Sequence, residues 1–141
     1  MPEVNSSPRK LTAPRGLFET VSYEKVVAGK NLEYVIEVLR TDGQSPWFAC
    51  SHDEFVIQMD GEVRIEFIRL DTPPQAGRGT VSAGTQPAGR KMGYVVLRQG
   101  HQALLPAGCA YRFTASRPGV ALVQTVLGEL SVEKWADICL H

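Results

Sequence analysis

No stretch of the 141 residues is apolar for anything near the ~20 residues of a membrane span, and the N-terminus lacks the apolar core of a signal peptide. Neither sign of charge is in excess. Lys+Arg and Asp+Glu number 15 each, the formal net charge is zero, and no basic run stands out. This argues against nucleic acid or an anionic membrane as the main partner. Cysteine is scarce: Cys50, Cys109 and Cys139 are odd in number and widely spaced. A chain long enough to bury its own core needs no disulfide staples, so reduced thiols in a cytoplasmic protein are expected. There is no CxxC pair and no HxxxH, so spacing alone gives no closed zinc site. The glycines of 77–89 are not set between a strand and a helix as a phosphate-cradling loop requires, and no internal repeat is evident.

What is present is β-type punctuation. Residues 1–15 hold three prolines and no apolar period, which predicts a flexible arm preceding a single domain over 16–141. Strands are expected within 16–27 and over 32–41. In the second of these, Tyr34, Ile36 and Val38 share one face and Val35, Glu37 and Leu39 the other. An apolar run ends at Met59, Asp60-Gly61 follows, and Glu62 to Phe67 then alternates polar with apolar. Asp-Gly between two such runs predicts a hairpin joining 48–59 to 62–70. The Gly-, Pro- and Ser-rich segment at about 71–92 reads as a long loop over one rim, with Arg78, Arg90 and Lys91 on it. Strands resume at 94–98, 102–105, 110–115 and 119–127. From Ser131, an N-cap, the 3–4 spacing of Val132, Trp135, Ile138 and Cys139 predicts a helix to about 140. Short strands with turn signals and one terminal helix define an all-β sandwich or barrel.

Two segments resemble the cupins, whose motifs are G-x5-H-x-H-x3–4-E-x6-G and G-x5-P-x-G-x2-H-x3-N. Glu54 and Gly61 have the E-x6-G spacing. Gly100, Pro106 and Gly108 have G-x5-P-x-G. The likeness covers about residues 32–127 and implies an antiparallel β-barrel of the double-stranded β-helix (jelly-roll) type. Within the cupins, Glu54–Gly61 and Leu104–Ala107 are similar to segments of 3-hydroxyanthranilate 3,4-dioxygenases. The ligands do not carry over. With the shorter spacer the two histidines fall on Phe48 and Cys50, with the longer on Trp47 and Ala49; the third falls on Tyr111 and the asparagine on Ala115. Of the four usual ligands only Glu54 keeps its residue type. Phenylalanine cannot ligate a metal, and tyrosine, with a pKa near ~10, is a poor ligand unless it is depressed.

The sequence therefore predicts a cupin-fold protein with a degenerate metal site. It binds a small aromatic or carboxylate-bearing molecule in the barrel, and Glu54 and Tyr111 supply any acid–base chemistry. Trp47, Phe48, Cys50, His52 and Arg69 are the expected pocket residues, Arg69 because it shares a face with Val63, Ile65 and Phe67. No cofactor is expected under this reading. The alternative is a divergent dioxygenase-like enzyme holding iron or another divalent transition metal through His52, Glu54 and Cys50. A third reading is a non-catalytic accessory subunit, in which the barrel is a scaffold. The resemblance implies a homodimer; no nucleic-acid or membrane partner is expected.

Overall fold

The computed structural model describes residues 21–134. Among them there is no helix, and ten strands form one curled sheet: β1 (Lys25–Asn31), β2 (Tyr34–Gln44), β3 (Phe48–Ala49), β4 (Glu54–Asp60), β5 (Val63–Leu70), β6 (Val81–Ser82), β7 (Gly89–Leu97), β8 (Gln102–Leu105), β9 (Cys109–Val126) and β10 (Ser131–Val132). No helix of the described residues is long and apolar enough to cross a membrane.

The sheet is organised around β9, which is 18 residues long. Along one of its edges run β2 and then β3, from Tyr34 opposite Val126 to Ala49 opposite Ala110. Along the other run β4 and then β5, from Phe55 opposite Gln124 to Arg69 opposite Cys109. Asp60-Gly61 is therefore not a hairpin turn, because β4 and β5 do not pair with each other. They are two lengths of one course beside β9, and β4 takes β8 as its second neighbour while β5 takes β7. The dipeptide turns a corner instead. Gly61 has φ +80°, and a Cβ there would meet the Gly119 Cα at 3.2 Å.

The same corner explains why the Pro-Gly of β9 does not end the strand. Opposite β2, the step from Thr41 to Gly43 spans β9 from Gly119 back to Ala115, so β9 itself bulges there; β4 carries its own extra residue between Gln58 and Asp60, opposite Ala121 and Val120. The bulge on β9 leaves Pro118 with no ladder position to fill. The buried Gln58 amide ties the corner, donating to Thr41 Oγ1 (3.1 Å) and to the Asp60 carbonyl (2.7 Å).

The expected 71–92 loop is shorter than predicted, since β7 begins at Gly89 and the two-residue β6 interrupts it. Eight of the nine β7 residues are exposed. A strand open on both faces has no in–out alternation to display, so its first half was illegible. At the other end, Ser131 and Val132 pair in parallel with Lys25 and Val26 rather than opening a helix; the rest of the predicted helix, 135–140, lies outside the described residues, as do residues 1–20. The interior is filled by alternate residues of the long strands, among them Leu39, Val56, Ile65, Tyr111, Phe113 and Val123.

Candidate functional site

Alternation along β2 carries one face, Val35, Glu37 and Leu39, into the barrel, and all three are buried. Glu54 opens β4 and is fully buried as well. Tyr111, on β9, lies between Phe48 of β3 and Phe67 of β5 in register. Its hydroxyl donates to Glu54 Oε1 at 2.7 Å, and Thr80, just ahead of β6, donates its hydroxyl to Glu54 Oε2. Both oxygens of that carboxylate are thus engaged by hydroxyl donors. Burial, and then the neighbouring Glu54 charge, push the Tyr111 phenol well above its usual range, so it stays protonated and donating.

A second polar pair lies beside the first. Lys25 Nζ is 3.6 Å from Glu37 Oε1, with both side chains about 1% exposed. It also stands 4.3 Å from the centre of the Phe48 ring. Ser131 donates to Glu37 Oε2 at 2.7 Å. Burial raises the Glu37 carboxyl above its ordinary value, Lys25 and Ser131 oppose the rise, and the Glu54 charge adds to it. Aromatic contacts continue the cluster: Phe48 to Tyr111 at 5.8 Å, Tyr111 edge-on to Phe113 at 5.6 Å, Phe113 stacked on Tyr23 at 5.7 Å.

With this interior described, relatives among solved structures become informative. A chain from the crystal structure of hydroquinone 1,2-dioxygenase PnpCD in complex with Cd2+ and 4-hydroxybenzonitrile is 55% identical, over 94% of this chain and 87% of that one, with TM-score 0.83. The chain belongs to the family of hydroquinone 1,2-dioxygenase chains. A second member, from the Sphingomonas sp. TTNP3 hydroquinone 1,2-dioxygenase with 4-hydroxybenzoate bound, is 46% identical over 85% of this chain and 75% of that one, TM-score 0.82. The fold is that of the cupins: a cupin-2 domain protein from Shewanella frigidimarina superposes with TM-score 0.53 at 16% identity, over 74% of this chain and 81% of that one. A PnpCD structure with Fe3+ also contains a chain of the same fold at 12% identity and TM-score 0.57. There 86% of this chain spans only 37% of that one, which is therefore much longer. No family model and no curated protein matches this chain.

In this hydroquinone dioxygenase family member the residues expected at the site are divided among three environments. Phe48, Cys50, Glu54 and Tyr111 are brought together in the interior, each at most 5% exposed. Trp47, one residue from Phe48, faces the opposite way, packing on Ile68 and Ala110 outside the barrel under the Arg112 guanidinium (4.4 Å). His52 sits in the bend between β3 and β4, where its Nδ1 meets the Asp53 carbonyl oxygen at 2.8 Å. The regular strand that would have put Cys50, His52 and Glu54 on one face does not exist there. Arg69 is exposed near the end of β5, beyond the buried residues of that strand, and has no ion-pair partner among the described residues.

The donor set does not fit a metal. Among the described residues no group of three His, Cys, Asp or Glu side chains could hold one. Each Glu54 oxygen already accepts a hydroxyl hydrogen bond, burial pushes the Cys50 thiol up and away from the thiolate, and Lys25 already stands in the cluster beside Glu37. Lys25, Glu37 and Thr80 escaped the sequence reading of the site. Glu37 did leave a signal, an acid on the otherwise apolar face of β2. Lys25 and Thr80 left none, because only the closure of the sheet brings them inward.

Proposed function

We propose that this chain is the accessory subunit of a hydroquinone 1,2-dioxygenase, assembling with a longer cupin-fold chain that holds the metal and carries the ring-cleaving chemistry. The observation that carries this reading is the filled interior. At the place where cupins hold metal, Phe48, Tyr111 and a doubly hydrogen-bonded Glu54 are packed with a Lys25–Glu37 pair. Each Glu54 oxygen already accepts a hydroxyl hydrogen bond, and Lys25 stands as counter-ion to Glu37 where a metal would bring its charge. The barrel acts as a scaffold, its interior network fixing a unique packing, and function passes to its outer surfaces. The small aromatic ligand expected from the sequence then belongs to the partner's barrel, and a longer subunit takes the place of the second copy. Occurrence of a near relative and of a longer chain of the same fold under the name PnpCD supports the pairing.

The test is co-expression with the longer subunit of a hydroquinone 1,2-dioxygenase. The two chains are expected to co-purify, and Fe2+-dependent cleavage of hydroquinone should require the longer one. This chain alone should retain well below one iron per chain after dialysis. Full iron occupancy and turnover by this chain alone would overturn the reading.

A further inference from the structure

Among the described residues β7 pairs with β5 alone, so its other edge offers backbone donors and acceptors that none of those residues takes up. Edges in natural proteins are blunted by short length, proline, charge or a bulge. The first half of β7 follows that rule, with Arg90, Lys91 and a register shift around Met92. The second half does not. Gly93-Tyr-Val-Val-Leu97 is free of charge and proline, with Tyr94, Val95 and Val96 about 56%, 38% and 41% exposed.

A groove of about 370 Å³ lies on the outer face over β5, between β7 and β9, lined by Trp47, Arg64, Glu66, Lys91, Tyr94 and Arg112 among others. Its guanidiniums sit over aromatic rings: Arg64 Cζ is 3.9 Å from the centre of the Tyr94 ring and Arg112 Cζ 4.4 Å from that of Trp47. One carboxylate serves both, Glu66 at 2.6 Å from Arg112 and 4.0 Å from Arg64. Among the described residues Lys91, Arg90 and Arg69 have no ion-pair partner and the buried Arg112 Nε has no acceptor. In a chain of zero net charge, this face is locally cationic.

We propose that β7 is completed, in the assembled protein, by an extended strand of the longer subunit that carries carboxylate side chains into this groove. The inference rests on the proposed assembly and names where its partner docks. Strand addition draws affinity from main-chain hydrogen bonds and specificity from pockets for alternate side chains, and the edge and the groove supply one each. Guanidiniums placed over ring faces retain N–H donors for further carboxylate bonds. Trp, Tyr and Arg are also the residue types that concentrate binding energy. A second copy of this chain is the poorer occupant, because two-fold pairing of β7 with itself sets two cationic faces side by side.

Hydrogen exchange on this chain, alone and in complex with the longer subunit, tests the assignment. Amides of 93–97 are expected to slow markedly on assembly. Arg64→Glu with Lys91→Glu should weaken association about ten-fold and flatten its salt dependence, while Lys30→Glu, at an exposed cation on β1, should leave it unchanged. Melting of the isolated variants checks that they fold. A complex that forms with exchange over 93–97 unaltered, or that ignores the charge reversals, overturns the docking site and leaves the assembly standing. Concentration-dependent protection of 93–97 in the chain alone would name a second copy as occupant and overturn it as well. Absence of any complex overturns the assembly and the docking site together.

Discussion

Tyr111 hands Glu54 Oε1 a hydrogen bond of 2.7 Å from the position at which the cupin pattern has a histidine. The likeness to the cupin motifs puts that carboxylate at a ligand position, and in this chain one of its oxygens accepts the phenol's hydrogen bond. Removing the donor by Tyr111→Phe leaves a buried oxygen unpaired, at a cost of about 1–3 kcal/mol. Glu54→Gln keeps an acceptor for one hydroxyl and a donor for the other, and removes a buried charge, so its cost is smaller. Urea denaturation of both variants gives the order. In the assembled enzyme both should leave kcat within about two-fold; a large kcat loss with unchanged stability would make Glu54 catalytic.

Lys25 and Glu37 are predicted to be strongly coupled. Lys25→Met leaves Glu37 buried beside Glu54 without a counter-ion, costing about 3–5 kcal/mol near neutral pH. Protonation relieves that cost. The folded-state pKa of Glu37 lies above its unfolded value, so its contribution to stability is full below the unfolded value and is lost as pH rises through the folded one. The deficit of Lys25→Met should therefore shrink as pH falls toward 4.5, the ordinary glutamate value. Lys25→Met combined with Glu37→Leu should recover most of the loss. Denaturation at two pH values decides it; equal deficits at both would exclude Glu37 as the titrating group.

Tyr23 gives an alkaline signature. Its hydroxyl donates to the Gly43 carbonyl at 2.7 Å, and burial, with the Asp42 charge behind it, pushes its pKa from 10.0 to about 12. A folded value above the unfolded one means stability that is complete below pH 10 and disappears as pH rises toward 12. The protein should lose stability over that interval, and Tyr23→Phe should lose less across it while being weaker at pH 7. Thermal melting across the interval is the measurement.

Gly119→Ala should be among the most damaging small changes in the chain. A Cβ there would lie 2.4 Å from the Asp60 carbonyl oxygen and 2.8 Å from Thr41 Oγ1, where backbone cannot give way. The expected cost is about 3 kcal/mol, the upper end of overpacking. At Gly29, where the nearest atom is the Ile36 Cβ at 4.0 Å, alanine should be tolerated. A destabilisation of equal size at both positions would remove the corner as the cause.

The all-β class and most strand positions were legible in the chain, because alternation and Gly/Pro punctuation are local and survive in a one-dimensional pattern. Glu54, Phe48 and Tyr111 come together there only through the likeness to the cupin motifs, and Glu37 reads as a strand residue beside Val35 and Leu39, not as part of a site. The remainder depended on long-range contacts. Asp60-Gly61 has hairpin chemistry, yet whether two strands pair with each other or with a third is a long-range choice, and β9 takes both. Trp47 and Phe48 diverge because neighbours on a strand point oppositely. Lys25 and Thr80 reach Glu37 and Glu54 only when distant strands close, and β7 carries no alternation because, among the described residues, neither of its faces is covered. Burial patterns record what a chain hides by itself; they are silent about what a partner hides for it.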